Sequence, residues 1–250
     1  ANIVRAIPSK NGEEPTMVME YIDGTSLHEL LIHANEQRVA IPVHIAAFLL
    51  SQACLGAHAA HELRDKEGQR AEVLHRDLTP HNLMVSTAGQ LKIIDFGIAT
   101  TGKTRAIQHQ RGVKGKTHYL SPECALQRTQ DRRSDIFTLG VVGCELLKGK
   151  RLERKQPSEA YPLPIDLGRS DVPKALVQAL ERAIAQDPED RWRTAADFNA
   201  ALSPFWANNK EHVARDTAAL IEGLVGEVLR ARRAHYRAMS RAQRIPMAAL

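Results

Sequence analysis

Three side chains are spaced so that they could act on one substrate: Asp77, Asn82 and Asp95. Asp77 and Asn82 are five residues apart in His75-Arg76-Asp77-Leu78-Thr79-Pro80-His81-Asn82. Asp95 opens Asp95-Phe96-Gly97, eighteen residues after Asp77. The stretch reads as a loop with one carboxylate and one amide, a short hairpin, and a second carboxylate beside a glycine. Oxygen donors of this kind suit a hard divalent cation, and the arrangement is what metal-assisted phosphoryl transfer requires. Further along, Ser121-Pro122-Glu123 ends twenty-eight residues beyond Asp95, Asp135 follows twelve later, and Arg191 lies beyond both.

The elements that must position these residues can be read from local pattern. Asn2–Ile7 and Thr16–Ile22 read as strands, with Asn11-Gly12 a hairpin-type turn between them. Ser26 is placed to cap a helix running to about Ala34, with Glu29 completing a capping box. Pro42 opens a long helix to about Glu62 with apolar positions at Ile45, Leu49, Cys54 and Leu55; His58 and His61 read as helix-surface histidines. Residues 83–86 and 91–94 form two strands joined by Ala88-Gly89. Ser134–Leu147 is apolar all round and predicts a buried central helix ended by Gly149. Helices are expected at Pro173–Gln186 and Thr194–Leu202, and a last one from His212 with an apolar stripe through Leu229. The total is α+β and predominantly helical.

Of the formal charge of +5, residues 205–250 hold eight Lys/Arg against four Asp/Glu, so the basic balance belongs to a tail. It does not argue for a nucleic-acid-binding domain. Cys54, Cys124 and Cys144 lie far apart without metal-ligand spacing, which fits a reducing, cytoplasmic setting. The apolar run Ile45–Ala60 carries Ser51, Gln52 and His58 and reads as too short to span a bilayer.

The spacing from Asp77 through Asn82, Asp95, Glu123 and Asp135 to Arg191 resembles the protein kinase family, of serine/threonine type and bacterial-like, over residues 2 to about 204. The resemblance implies ATP and Mg²⁺ as cofactors and a protein as substrate. It makes Asp77 the catalytic base and Asn82 and Asp95 the Mg²⁺ ligands, with Gly97 permitting the turn that aims Asp95 inward. Phe96 and His75 become packing residues. Glu123 and Arg191 become a buried ion pair, and Asp135 a brace for the backbone at His75 and Arg76. Met17–Ile22 becomes the hinge that meets adenine, with Met19 as gatekeeper, the Glu20 carbonyl and Ile22 backbone as hydrogen-bonding groups, and Met84 as floor. Asp23 or Ser26 would reach the ribose. Arg76 would pair with a phosphorylated residue of the acid-free span Phe96–Pro122, with Thr100, Thr101, Thr104 and Thr117 as candidates and the unmodified segment repelled and mobile.

The chain also departs from the family pattern. Thr79 stands where serine/threonine kinases usually place a lysine, although some bacterial kinases resemble this chain there. No Gly-x-Gly-x-x-Gly, strand lysine or partnering helix glutamate precedes the hinge. An upstream segment or a partner is expected to supply them and cover the first strands, with the helix beyond His212 a lesser candidate for cover. Ser158–Ala160 offers only a turn where kinases carry a substrate-docking helix. Arg230, Arg232, Arg233, Arg237, Arg241 and Arg244 read as a solvated helix end, membrane contact being the weaker alternative. The domain reading is 1–24 remnant strands and hinge, 25–204 helical lobe, and 205–250 basic tail. Two functions follow: an ATP-dependent protein serine/threonine kinase, or a catalytically inactive kinase-like binding or scaffold module.

Overall fold

The structure is a computed structural model that describes residues 1–9, 16–96 and 116–243. Two long apolar helices set its centre. Helix α2 (Val43–His61) follows α1 (Leu27–Glu36), and α4 (Arg132–Lys148) follows the short α3 (Pro122–Ala125). Every residue of α4 from Ser134 to Leu147 is buried, as its all-round apolar pattern requires. Asp131 caps its start and Gly149 its end, the glycine in the left-handed conformation (φ 76°) that such a stop favours. Helices α5 (Lys174–Ala183) and α6 (Ala195–Leu202) close the core against α4 and α2. Helix α2 is long and apolar enough to cross a membrane on composition alone, at 19 residues rather than the shorter run expected, yet most of it is buried among the protein's own helices.

Two small antiparallel sheets flank this body. Strands β1 (Ala6–Ser9) and β2 (Thr16–Met19) pair with Ala6 opposite Met19, so both expected strands are displaced or shortened and Glu20–Asp23 is not strand. Residues 10–15, including the Asn11-Gly12 turn, lie outside the described residues. The second sheet has β4 (Leu83–Ser86) between β5 (Leu91–Ile93) and β3 (Gly24–Ser26), a strand that no local pattern announced. Its outer edge is not left open. Asn2 and Val4 exchange backbone bonds with Ile93, and the Gln52 side chain on α2 accepts from Leu91 N at 3.1 Å. Val18, Met19 and Tyr21 remain exposed (54%, 43% and 46%).

The capping box at α1 is half formed. Ser26 Oγ accepts from Glu29 N as expected, but the Glu29 carboxylate turns to the Thr25 hydroxyl at 2.8 Å. Leu55 faces solvent. His61 is buried rather than on the helix surface; it follows Ala53 and Ala57 at four-residue steps on the inward face.

The last described element is α7 (Lys210–Gln243), about 51 Å long at 1.5 Å per residue. Val213, Thr217, Ile221, Leu224, Val225 and Leu229 form its buried stripe. It packs chiefly on α1, α2 and β3, and Val18 and Met19 of β2 stay exposed. Gly89, in the β4–β5 turn at φ 75°, lies under it, where a Cβ would come within 2.3 Å of the Ala214 carbonyl oxygen. Gly89→Ala should therefore cost on the order of 2 kcal/mol, from left-handed strain and displacement of α7. Urea unfolding measures this, and Ala214→Gly, which leaves the backbone clash in place, should not restore the loss.

Candidate active site

The loop 75–82 is held from below by one buried carboxylate. Asp135, in the first turn of α4 and 1% exposed, accepts from His75 N at 2.9 Å and Arg76 N at 2.8 Å. His61 Nε2 donates to it at 2.8 Å. Burial pushes the Asp135 carboxyl up, but the hydrogen bonds from His61 and His75 outweigh it and leave it below its ordinary range. Arg76 meanwhile takes a left-handed backbone (φ 64°), a conformation that costs about 1–2 kcal/mol for a non-glycine residue. Asp135 holds it there.

His75 is fully buried and locked at both nitrogens. Its Nδ1 accepts from Asp77 N at 3.2 Å, so the proton is on Nε2, which donates to Ile94 O at 3.0 Å. The ring also meets Phe96 edge-on at 4.6 Å. His75 and Phe96 are thus packing residues that join the loop to the strand end carrying Asp95.

Asp77 and Asn82 meet directly. Asn82 Nδ2 donates to Asp77 Oδ2 at 3.0 Å and Asp77 O at 2.8 Å. The amide nitrogen is thereby committed, and Oδ1 is the donor atom that Asn82 can offer a cation. Asn82 O accepts from Ile94 N at 2.9 Å, which fixes Asn82 against the residue before Asp95. Asp95 is exposed and left-handed (φ 56°). Gly97 lies outside the described residues, as do Thr100, Thr101 and Thr104. Thr79 is 2% exposed, and its hydroxyl has no partner among the described residues.

Among the described residues no three His, Cys, Asp or Glu side chains gather to hold a metal by themselves. Asn82 and Asp95 are an oxygen-only pair of the kind that holds Mg²⁺ when phosphates complete its shell. The donor chemistry fits.

The hinge-like segment lies on separate elements. Ser26 and Met84 occupy opposite positions of the β3–β4 pair, so the expected ribose and floor residues are neighbours. The Glu20 carboxylate binds Lys92 Nζ and Arg5 N, and these bonds bring its pKa down to about 2. Met19 is exposed and Ile22 half-buried. Asp23 is engaged by Arg233, and the Ser26 hydroxyl by Glu29 N.

Glu123 and Arg191 form the expected buried pair in bidentate geometry, at 2.9 and 2.8 Å. Arg191 also donates to Ala185, Arg133 and Gln186 carbonyls. Residues 117–120 are gripped in a way the sequence did not suggest. Arg154 donates to the Thr117, His118 and Leu120 carbonyls, Tyr161 to His118 O, Thr138 to Tyr119 O, and Tyr119 to Glu145. Thr117 itself is exposed, and its carbonyl is one of those that accept from Arg154.

The sequence profile described as protein kinase domain matches residues 1–199. The chain belongs to the protein kinase family. Its relatives include the tyrosine-protein kinase MasK of Myxococcus xanthus, 37% identical over 224 residues, which are 84% of this chain and 34% of MasK. The serine/threonine-protein kinase PrkC of Bacillus subtilis is 34% identical over 208 residues, 76% of this chain and 29% of PrkC. The chain therefore spans about a third of the length of these relatives. The crystal structure of the Mycobacterium tuberculosis PknI kinase domain shares the fold, with a TM-score of 0.59 at 22% identity, covering 82% of this chain and 72% of that one.

In this member of the family the Glu123–Arg191 pair should be visible in acid. Burial raises the Glu123 carboxyl, but Arg191 and Ser134 bring it down to about 2. A depressed carboxylate stabilises above its unfolded pKa of about 4.5 and loses that contribution as pH falls through about 2. The shift corresponds to about 3 kcal/mol. Unfolding free energy measured from pH 5 to 2 should show a slope that Glu123→Gln reduces; an unchanged slope would contradict the pairing.

Proposed function

We propose that this protein transfers the γ-phosphoryl group of ATP to a serine or threonine hydroxyl of a protein substrate. The observation that carries the reading is the direct Asp77–Asn82 hydrogen bond, with Asn82 tied through Ile94 to the strand end bearing Asp95. Asp77 orients the acceptor hydroxyl and takes its proton as the new bond to phosphorus forms. Asn82 and Asp95 hold the cation. Mg·ATP, when bound, supplies the phosphoryl group and the positive charge that neutralises it. On this reading Met19, the Glu20 carbonyl, Ile22 and Met84 would meet the adenine, Asp23 or Ser26 would reach the ribose, and Thr79 stands where a lysine is usual.

The serine/threonine names of several bacterial relatives support the acceptor class. A tyrosine acceptor is the second reading, favoured by the name of the Myxococcus relative. Unpaired thiols at Cys54, Cys124 and Cys144 support a reducing, cytoplasmic setting.

Asp77→Asn should lower phosphate incorporation into a mixed protein substrate by about 100-fold or more while keeping Mg·ATP-dependent thermal stabilisation. Asp95→Asn should lose both. Phosphoamino acid analysis of the wild-type product separates the two acceptor readings. A wild-type melting temperature unmoved by millimolar Mg·ATP would instead favour a non-enzymatic binding module.

A further inference from the structure

Just past its buried stripe α7 is engaged by the body of the protein, although residues 234–239 beyond are exposed. Once the buried stripe has passed Leu229, the next turns lie against residues 21–29, the segment that enters α1. Arg233 Nε donates to Asp23 Oδ1 and its NH2 to Asp23 Oδ2, both at 2.8 Å, a bidentate pair. Arg232 donates to Glu29 at 3.1 Å and to the Gly24 carbonyl at 3.4 Å. Tyr236 meets Tyr21 edge-on, ring centroids 5.7 Å apart. Arg230 is turned the other way, onto Glu222 of α7 itself.

We propose that α7 is a hinge latch: Arg232, Arg233 and Tyr236 fix residues 21–24 and thereby raise the affinity of the adjoining nucleotide site. This rests on the reading of Glu20–Ile22 as the adenine-binding segment. Between Met19 and Gly24 the segment belongs to no strand; its backbone is tied at either end, where Glu20 N donates to Arg5 O at 3.0 Å and Thr87 N to Asp23 O at 2.8 Å, and the α7 contacts fall on the residues between and beside these bonds. Behind it Gly24 is pinned to β4, where a Cβ would fall 2.0 Å from Val85 O. The latch closes the opposite side. Thr25 and Arg232 share the Glu29 carboxylate, and although burial pushes that carboxyl up, these bonds keep it below its usual range. The four ion-paired side chains remain 32–42% exposed, so each bond is weak and salt-screened. Such a contact can release while the Val213–Leu229 stripe stays docked. These three side chains are positioning residues and touch no reacting atom.

The test uses the full chain and the double variant Arg232→Ala/Arg233→Ala, with Arg232→Lys/Arg233→Lys as the charge-retaining control. Hydrogen exchange at amides 21–25 should rise about three- to tenfold in the alanine variant, consistent with loss of two exposed pairs. Calorimetry with Mg·ATP should show affinity weakened by a similar factor, and ATP KM should rise with kcat held. The lysine control should recover most of both, and amides in α2 and α4 should be unchanged. Unchanged exchange at 21–25 overturns the latch. Faster exchange with unaltered nucleotide affinity overturns the coupling. A wild-type protein that binds no Mg·ATP overturns the underlying nucleotide reading, and the coupling with it, while the exchange result still judges the restraint.

Discussion

Asp135 is the group on which the geometry of the candidate site depends. A carboxylate 1% exposed is costly unless every oxygen is used, and this one accepts two backbone N–H groups and a histidine. The return is a loop that would not otherwise keep its shape. Arg76 is left-handed, and nothing in its own side chain favours that. With Arg76 turned, His75 is directed inward to bond Ile94, and Asp77 is presented at the surface of the loop with Asn82 bonded to it.

The same helix serves the opposite side of the site. Ser134 shares Glu123 with Arg191, Thr138 takes Tyr119 O, Phe137 lies under the Arg191 guanidinium, and Glu145 binds the Tyr119 hydroxyl. Helix α4 therefore bonds both the loop 75–82 and residues 119–123. The helix must be buried all round for this to work, because its polar residues reach their partners only where water is excluded. Its small residues permit that burial. A Cβ on Gly143 would come within 2.6 Å of Leu50 and 2.7 Å of Leu180.

Much of this was legible without coordinates, for a physical reason. The distances between Asp77, Asn82 and Asp95 are set by a loop and a two-stranded hairpin, local structures whose lengths the sequence displays. The burial of α4 and the capping by Ser26 are likewise local. The misses are long-range. His61 reads as a surface histidine because a lone polar residue at the end of a helix gives no sign of a partner 74 residues away. Strand β3 is three residues long and exists only because β4 offers it an edge. Arg154 and Tyr161 lie in an irregular stretch whose partners are carbonyls, which leave no mark in sequence. The arginines near the chain's end read as solvated, and two of them reach back about 200 residues to Asp23 and Glu29. Charge composition cannot show that, since the partner acids lie in another part of the chain.

The most direct test of the account is amide hydrogen exchange at His75 and Arg76 in Asp135→Asn. The substitution keeps the shape but puts an NH₂ where an oxygen accepted, so one of the two backbone donors faces another donor. Protection at both amides should collapse and the loss should extend to residues 77–82, while amides of α1 and the first half of α7 keep theirs. Unchanged protection at His75 and Arg76 in a folded variant would contradict the claim that this one buried carboxylate holds the catalytic loop.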